Sequence, residues 1–288
     1  MIYTEKAYAK INLSLDILRK RPDGYHDMRM VMQSVDLADT LTLTKREENG
    51  LLLSTTLSYL PCDDGNIAAK AVARFCEATG LPRPGLRLHI DKLIPVCAGM
   101  AGGSSDGAAV LRLMRKLYAP EMTDSALEAI GAQIGSDVPY CVRGGTALAE
   151  GRGEILTDLP PLPACWFVIC KPQFSISTPE LFSQVRAKKL HCHPDTAGMI
   201  RALERGDLEG VTHRLYNVFE DVIPRKYAQI FEIKSQLLEL GAMASSMTGS
   251  GPTVFGIFRD EPAAARAAHA LKEQFPSTFF CKNTGKAV

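Results

Sequence analysis

The sequence predicts an α+β chain in two parts, and three observations carry that prediction. The opening quarter alternates apolar and polar residues with the period of strands. The residues after it carry apolar side chains at helical spacing. A proline-bearing stretch at about 155–163 then separates this half from a second run of strand, helices and strand. The division is set at 1–157 and 158–288, since 288 residues suffice for two modest domains sharing an interface.

Residues 7–18 place Ala7, Ala9, Ile11, Leu13, Leu15 and Ile17 on one side and Tyr8, Lys10, Asn12, Ser14 and Asp16 on the other, which predicts a strand with one buried face. Pro22-Asp23-Gly24 is a turn signal, after which "RMVMQSVDL" reads as extended. "DTLTLTKRE" and "GLLLSTTL" predict two more strands, joined at Asn49-Gly50 as a hairpin. Ile67, Ala71, Val72 and Phe75 fall at helical spacing ahead of Gly80 and Pro82, a helix with its stop signal. "GLRLHIDKLIP" returns to alternation. Val110, Leu111, Met114, Leu117 and Tyr118 then mark a helix entered directly from glycines, and another runs from about Asp124 to Ile134. "SDVPYCVRGGTALAEGRGEILTDL" reads as loops and strands. Beyond the prolines come the strand in "ACWFVICKP", helices in "LEGVTHRLYNVFEDV" and "KYAQIFEIKSQLLELGA", the strand "TVFGIF" and the helix "PAAARAAHALKEQF".

Composition narrows the function. A formal net charge of +1 lacks the basic footprint that binding a nucleic-acid backbone leaves, so no nucleic-acid partner is expected. The first residues lack the apolar run of a signal peptide and no window offers about 18 uncharged apolar residues, so a cytoplasmic chain without membrane attachment is expected. Eight cysteines lie scattered without a C-x-x-C pair and mostly within apolar runs, which reads as reduced, buried thiols.

Five stretches carry possible chemistry. In "PVCAGMAGGSSDGAAVL" (95–111) a glycine-rich loop opens a helix, where unpaired N–H groups and the helix dipole favour an anion and Ser104 and Ser105 add hydroxyls. Its spacing fits neither G-x-x-x-x-G-K-[ST] nor G-x-G-x-x-G, so the loop alone reads equally as a helix packed through small residues. In "AKINLSL", Lys10 and Asn12 project together from one strand face; the plain alternative is a solvated face. In "GSDVPY", Asp137 is either a turn or cap residue or, if it meets Lys10, a carboxylate accepting a hydroxyl proton beside a charge-neutralising ammonium. "SSMTGSGPTVFGIF" holds Ser250 between two glycines, as a simple connection or a second donor-rich loop. "RPDGYHDM" offers Tyr25 and His26, either as ordinary core and surface residues or as a platform and hydrogen-bond partner for a flat ring.

These stretches, in this order, resemble the GHMP kinase superfamily over nearly the whole chain. "AKINL" followed by "RPDGYHDM" resembles the branch that phosphorylates the 2-hydroxyl of 4-diphosphocytidyl-2-C-methyl-D-erythritol in non-mevalonate isoprenoid synthesis. The resemblance implies ATP as co-substrate with Mg2+, a small-molecule acceptor carrying a cytidine diphosphate, and a monomer or weak homodimer. It implies a ribosomal-protein-S5-domain-2-like N-terminal domain, a ferredoxin-like C-terminal domain and an active site in the cleft between them. Carried onto this sequence, Asp137 takes the hydroxyl proton, Lys10 stabilises the ionised partners, and Asn12 positions the methylerythritol end. Tyr25, His26 and, from "STPELF", Phe182 hold the cytosine. The ATP-phosphate loop falls on Pro95, Val96, Cys97, Ala98, Gly99, Met100, Ala101, Gly102, Gly103, Ser104 and Ser105, with Gly249, Ser250 and Gly251 as the third motif.

The family loop usually reads G-L-G-G-G-S-S-D-A-A, whereas Met100, Ala101 and Gly107 stand here. Alanine at 101 predicts either an ordinary φ at that position or a retuned loop, and Gly107 a more flexible first helical turn. The rival readings are a superfamily member acting on mevalonate or homoserine, a catalytically silent sensor on the same fold, and an RNA-binding module.

Overall fold

The computed structural model describes residues 1–185, 190 and 192–286. Its first half is organised by two long strands, β1 (Ile2–Lys20) and β2 (His26–Lys45), which pair antiparallel through the turn at Gly24. β2 continues the sheet through β4 (Gly85–Asp91) at one end and β5 (Thr146–Gly151) at the other, and β6 (Ile155–Asp158) pairs with β5. The two extended segments expected at 29–37 and 39–47 are thus one strand. Helices α1 (Ile67–Thr79), α2 (Gly102–Tyr118), α3 (Asp124–Ala132) and α4 (Val138–Arg143) belong to this half. α1 begins at Asn66, whose Oδ1 accepts from the Ala68 N–H, and ends at Gly80 in the left-handed conformation (φ 67°), as its stop signal predicts.

The second half carries a four-stranded antiparallel sheet of β7 (Trp166–Cys170), β9 (Ala244–Met247), β10 (Val254–Phe258) and β11 (Thr278–Lys282) in the order β11-β7-β10-β9. Numbered within this half, the strands run 4-1-3-2. Helices α5 (Thr178–Gln184), α6 (Thr196–Glu204), α7 (Leu208–Thr212) and α8 (Gln229–Glu239) lie between the first and second strands, and α9 (Glu261–Gln274) between the third and fourth. This is the ferredoxin-like arrangement that the resemblance implied. The halves are stitched together: β8 (Tyr216–Asn217) joins the first sheet parallel to β1, and isolated bridges pair Val35 with Asn283 and Gly144 with Lys286.

Three expectations are corrected. Residues 9–17 of β1 are buried on both faces, because Ala9, Ile11 and Leu13 pack in one core cluster with Phe167, Ile169 and Phe255 of the second half, whereas Ala7, Leu15 and Ile17 belong to another that includes Leu41, Phe75 and Leu111. Register shifts at Tyr8/Lys10 and Asn12/Ser14 bracket this exchange of partners. Asn49-Gly50 makes no hairpin: β3 (Gly50–Thr55) pairs parallel with β4, which separates it from β2. A Cβ on Gly85 would meet the Glu48 and Arg46 carbonyl oxygens at 2.2 and 2.5 Å, so glycine there lets the chain pass close beside β4. The helix expected over 208–222 is only α7, followed by β8 and a 3-10 turn at Val218–Val222.

Candidate active site

β1, α2, α4, α5 and the loop at 249–251 border one cleft of about 890 Å³. Lys10 is buried on β1, and its ammonium donates to Asn12 Oδ1 at 2.7 Å while facing Asp137 Oδ2 at 3.9 Å. Asp137 occupies the N-cap position of α4, yet its side chain makes no capping hydrogen bond. Its side chain is one-third exposed and lines the cleft, so the position is a cap but the side chain is not spent on capping. Arg112, buried on α2, donates to the carbonyls of Cys141 on α4 (2.8 Å) and Lys6 on β1 (2.9 Å) and to Glu5 Oε1 (2.8 Å). One guanidinium therefore fixes the spacing of the two elements that carry Lys10 and Asp137.

The glycine-rich loop runs into α2 through two non-glycine residues at positive φ, Cys97 (52°) and Ala101 (59°). The ordinary φ considered for Ala101 is therefore not adopted, and each residue carries strain of about 1–2 kcal/mol. Ala101 offers no side-chain cap and the first turn of α2 holds no acid. The N–H groups of Gly102, Gly103 and Ser104 are thus left for an external anion. Cys97, Gly99, Ala101 and Ser104 line the cleft, but several expected loop residues do not. Ala98 and Met100 turn into the core, and Met100 serves through its carbonyl, which accepts from Lys10 N at 3.2 Å. Ser105 is buried and its hydroxyl donates to Tyr8 O at 2.6 Å, so the Ser105 side chain braces the loop and cannot face phosphate. Pro95 and Val96 are half-buried outside the cleft lining. Gly107 is also not a flexibility device: a Cβ there would lie 2.8 Å from Ile67 Cγ2, so glycine brings α2 onto α1.

Beneath the loop, Lys92 is buried with Asp39 and Asp106, bonding both carboxylates, the latter at 2.6 Å. Asp39 Oδ1 also accepts from the N–H groups of Leu93 and Ile94, which pins the entry to the loop. Burial, with Asp39 close by, pushes the Asp106 carboxyl up to about 7 against the opposing pull of Lys92. Its Oδ1 has no hydrogen-bond partner among the described residues, an arrangement easier on a neutral carboxyl than on a carboxylate.

The second loop meets the first directly. Asn12 is buried, and its Oδ1 accepts from Lys10 Nζ, from Gly249 N at 3.0 Å and from Thr248 Oγ1 at 3.3 Å. Asn12, expected to position the methylerythritol end, is buried beside the cleft rather than lining it, and it ties Lys10 to the 249–251 loop. Gly249, Ser250 and Gly251 all line the cleft, and Ser250 Oγ pairs with Thr178 Oγ1 at 2.7 Å, joining this loop to the start of α5. Asn217, which the sequence reading passed over, props the loop by donating to the Met247 and Gly249 carbonyls.

Tyr25, His26 and Phe182 all line the cleft. His26 stacks on Phe182 with centroids 4.9 Å apart, and Phe182 meets Phe219 edge-on. Tyr25 stays half exposed, with the Arg152 guanidinium 5.2 Å from its ring centroid. Burial, then the Lys20 charge, holds His26 below its ordinary value, so a neutral imidazole with one donor and one acceptor faces the cleft. Lys20, Met30, Ser136 and Arg152 also line the cleft and were not anticipated. Only Arg152 left a signal, standing between two glycines in "EGRGE".

Similarity to known proteins agrees with this geometry. Residues 66–145 match the GHMP kinases N terminal domain and residues 199–277 the GHMP kinases C terminal domain. Proteins named 4-diphosphocytidyl-2-C-methyl-D-erythritol kinase are 41% identical over 277 residues in Clostridium botulinum, covering 96% of this chain and 98% of that one. In Enterococcus faecalis the identity is 46% over 268 residues, covering 93% and 94%. A crystal structure of 4-(cytidine 5'-diphospho)-2C-methyl-D-erythritol kinase superposes with a TM-score of 0.84 at 31% identity, covering 98% of this chain and all of that one. A homoserine kinase from Cytophaga hutchinsonii, at 18% identity and a TM-score of 0.76 over 99% of this chain and 95% of that one, shares the fold. The chain belongs to the GHMP kinase family and is an ATP-dependent small-molecule kinase.

Proposed function

We propose that this kinase transfers the γ-phosphoryl group of ATP to the 2-hydroxyl of 4-diphosphocytidyl-2-C-methyl-D-erythritol, giving ADP and the 2-phosphate. The observation that carries the reading is the Lys10–Asp137 pair at 3.9 Å, standing in one cleft between an N–H-rich phosphate loop and an aromatic cluster. Relatives at 41% and 46% identity bear the name of that reaction. Mevalonate and homoserine have no flat ring to use Tyr25 and Phe182.

Phosphoryl transfer leaves the protein mostly positioning and charge neutralisation. The α2 N–H groups and the Gly249–Gly251 loop hold the ATP phosphates from two sides. Asp137, uncommitted as a cap, accepts the acceptor's hydroxyl proton on Oδ2. Lys10, oriented by Asn12, stabilises the alkoxide and the charge developing on the transferred group. Ser104 faces the cleft, and a Cβ built on Gly135 would lie 3.9 Å from its Oγ, which sets it beside the turn that carries Asp137. The Ser104 hydroxyl is a hard oxygen donor and would suit a magnesium ion that took its other ligands from phosphate oxygens and water. Bound there, magnesium would neutralise β- and γ-phosphate charge.

The test is ADP release with the diphosphocytidyl alcohol, mevalonate and homoserine under identical ATP and magnesium. Turnover with the first alone is expected. Turnover with either of the others at a comparable kcat/KM overturns the assignment.

A further inference from the structure

The cleft is lined by a cationic residue that no step above uses. Arg152 forms the tip of the β5–β6 hairpin between Gly151 and Gly153, both at positive φ (68° and 114°), and this turn sends its side chain into the cleft. The tip lies near both Asp137 and Tyr25. A Cβ on Gly153 would lie 3.8 Å from Ser136 O and 4.0 Å from Asp137 Oδ1, while the Arg152 guanidinium lies over the Tyr25 ring.

From this placement the geometry points to Arg152 as the residue that recognises the diphosphate of the acceptor. The inference rests on the cytidine diphosphate reading above. A molecule with its hydroxyl at Asp137 and its cytosine at Tyr25 has its diphosphate between those points, and Arg152 bridges the same interval. The Arg152 side chain is one-third exposed and available: its side-chain hydrogen bond among the described residues is a long one, 3.4 Å to Glu154 Oε1. The nearby acid Asp23 is held by Arg21 at 3.0 Å. Glu154 Oε2 instead accepts from the Arg152 backbone N–H at 2.6 Å, so Glu154 shapes the turn more than it occupies the charge. A planar guanidinium suits paired phosphate oxygens, and its seat on Tyr25 orients it beforehand. Lys20, opposite His26 in the β1–β2 register, adds positive charge at the cytosine end.

The experiment compares CDP with cytidine as competitive inhibitors against the acceptor in wild type, Arg152→Gln and Arg152→Lys. Arg152→Gln is expected to raise the CDP Ki about ten- to a hundredfold, the loss of one or two charge-assisted hydrogen bonds, with the cytidine Ki and the KM for ATP held within about twofold. Arg152→Lys recovers part of the CDP affinity, since charge returns without the fork. Equal shifts for CDP and cytidine overturn the proposal, because Arg152 then only props Tyr25. Tight wild-type CDP binding that Arg152→Gln leaves unchanged overturns the Arg152 assignment alone. A wild type indifferent to both inhibitors overturns it together with the acceptor reading.

Discussion

Gly99 and Gly249 press their backbones together: a Cβ on Gly249 would stand 2.7 Å from the Gly99 carbonyl oxygen, and one on Gly99 would stand 2.3 Å from that of Thr248. Both residues sit at positive φ, 73° and 56°. This contact, with Asn12 bonding the Gly249 N–H, locks the two glycine-rich loops into one surface. Gly249→Ala is expected to cost about 2–4 kcal/mol, from backbone clash and left-handed strain together, and to raise the KM for ATP about tenfold or more. Urea denaturation and initial rates read the two effects.

Ala101 carries left-handed strain in the loop itself. Ala101→Gly relieves about 1–2 kcal/mol of it and gives back about half of that through the added freedom of the unfolded chain. A rise in Tm of a few degrees is expected; a fall would mean that the Ala101 methyl contributes packing worth more than the strain.

The charge cluster beneath the loop predicts a pH dependence. Asp106 has its folded value raised from 3.8 to about 7, so the folded state holds a proton that the unfolded chain has released. Its contribution is fully present below the unfolded value and is lost as pH climbs through about 7. Tm should fall between pH 5 and 8, and Asp106→Asn should flatten that fall. An unchanged slope in the variant would place the proton elsewhere.

The aromatic end makes its own prediction. Tyr25→Ala removes the exposed ring that Arg152 covers and should raise the KM for a cytidine-bearing acceptor about tenfold, with the KM for ATP unchanged. An unaltered acceptor KM would count against a cytosine seat at Tyr25.

How much of this was legible in the sequence depends on the range of the interaction involved. Period and stop signals are local, so α1 with Gly80 and the glycine run into α2 could be read directly. β3 could not: Asn49-Gly50 has hairpin chemistry, but the partner of β3 is β4, some 35 residues further on, and pairing choice is set by the whole sheet. Lys10 and Asp137 were found through their motifs. Their meeting depends on Arg112, whose bonds to β1 and α4 leave no trace in local pattern. Motif reading likewise named Asn12 and Ser105 but could not say where their side chains point, because a motif names the residue and not the direction of its side chain. Both turn inward, to the 249–251 loop and to Tyr8.

The most direct test of the account is the steady-state kinetics of Asp137→Asn, because everything in the cleft converges on that carboxylate facing Lys10. The amide keeps the size and loses the proton acceptor, so kcat should fall by about 10²–10⁴ with both KM values held within a few-fold. A variant that keeps most of its kcat would contradict the assignment of Asp137 as the base.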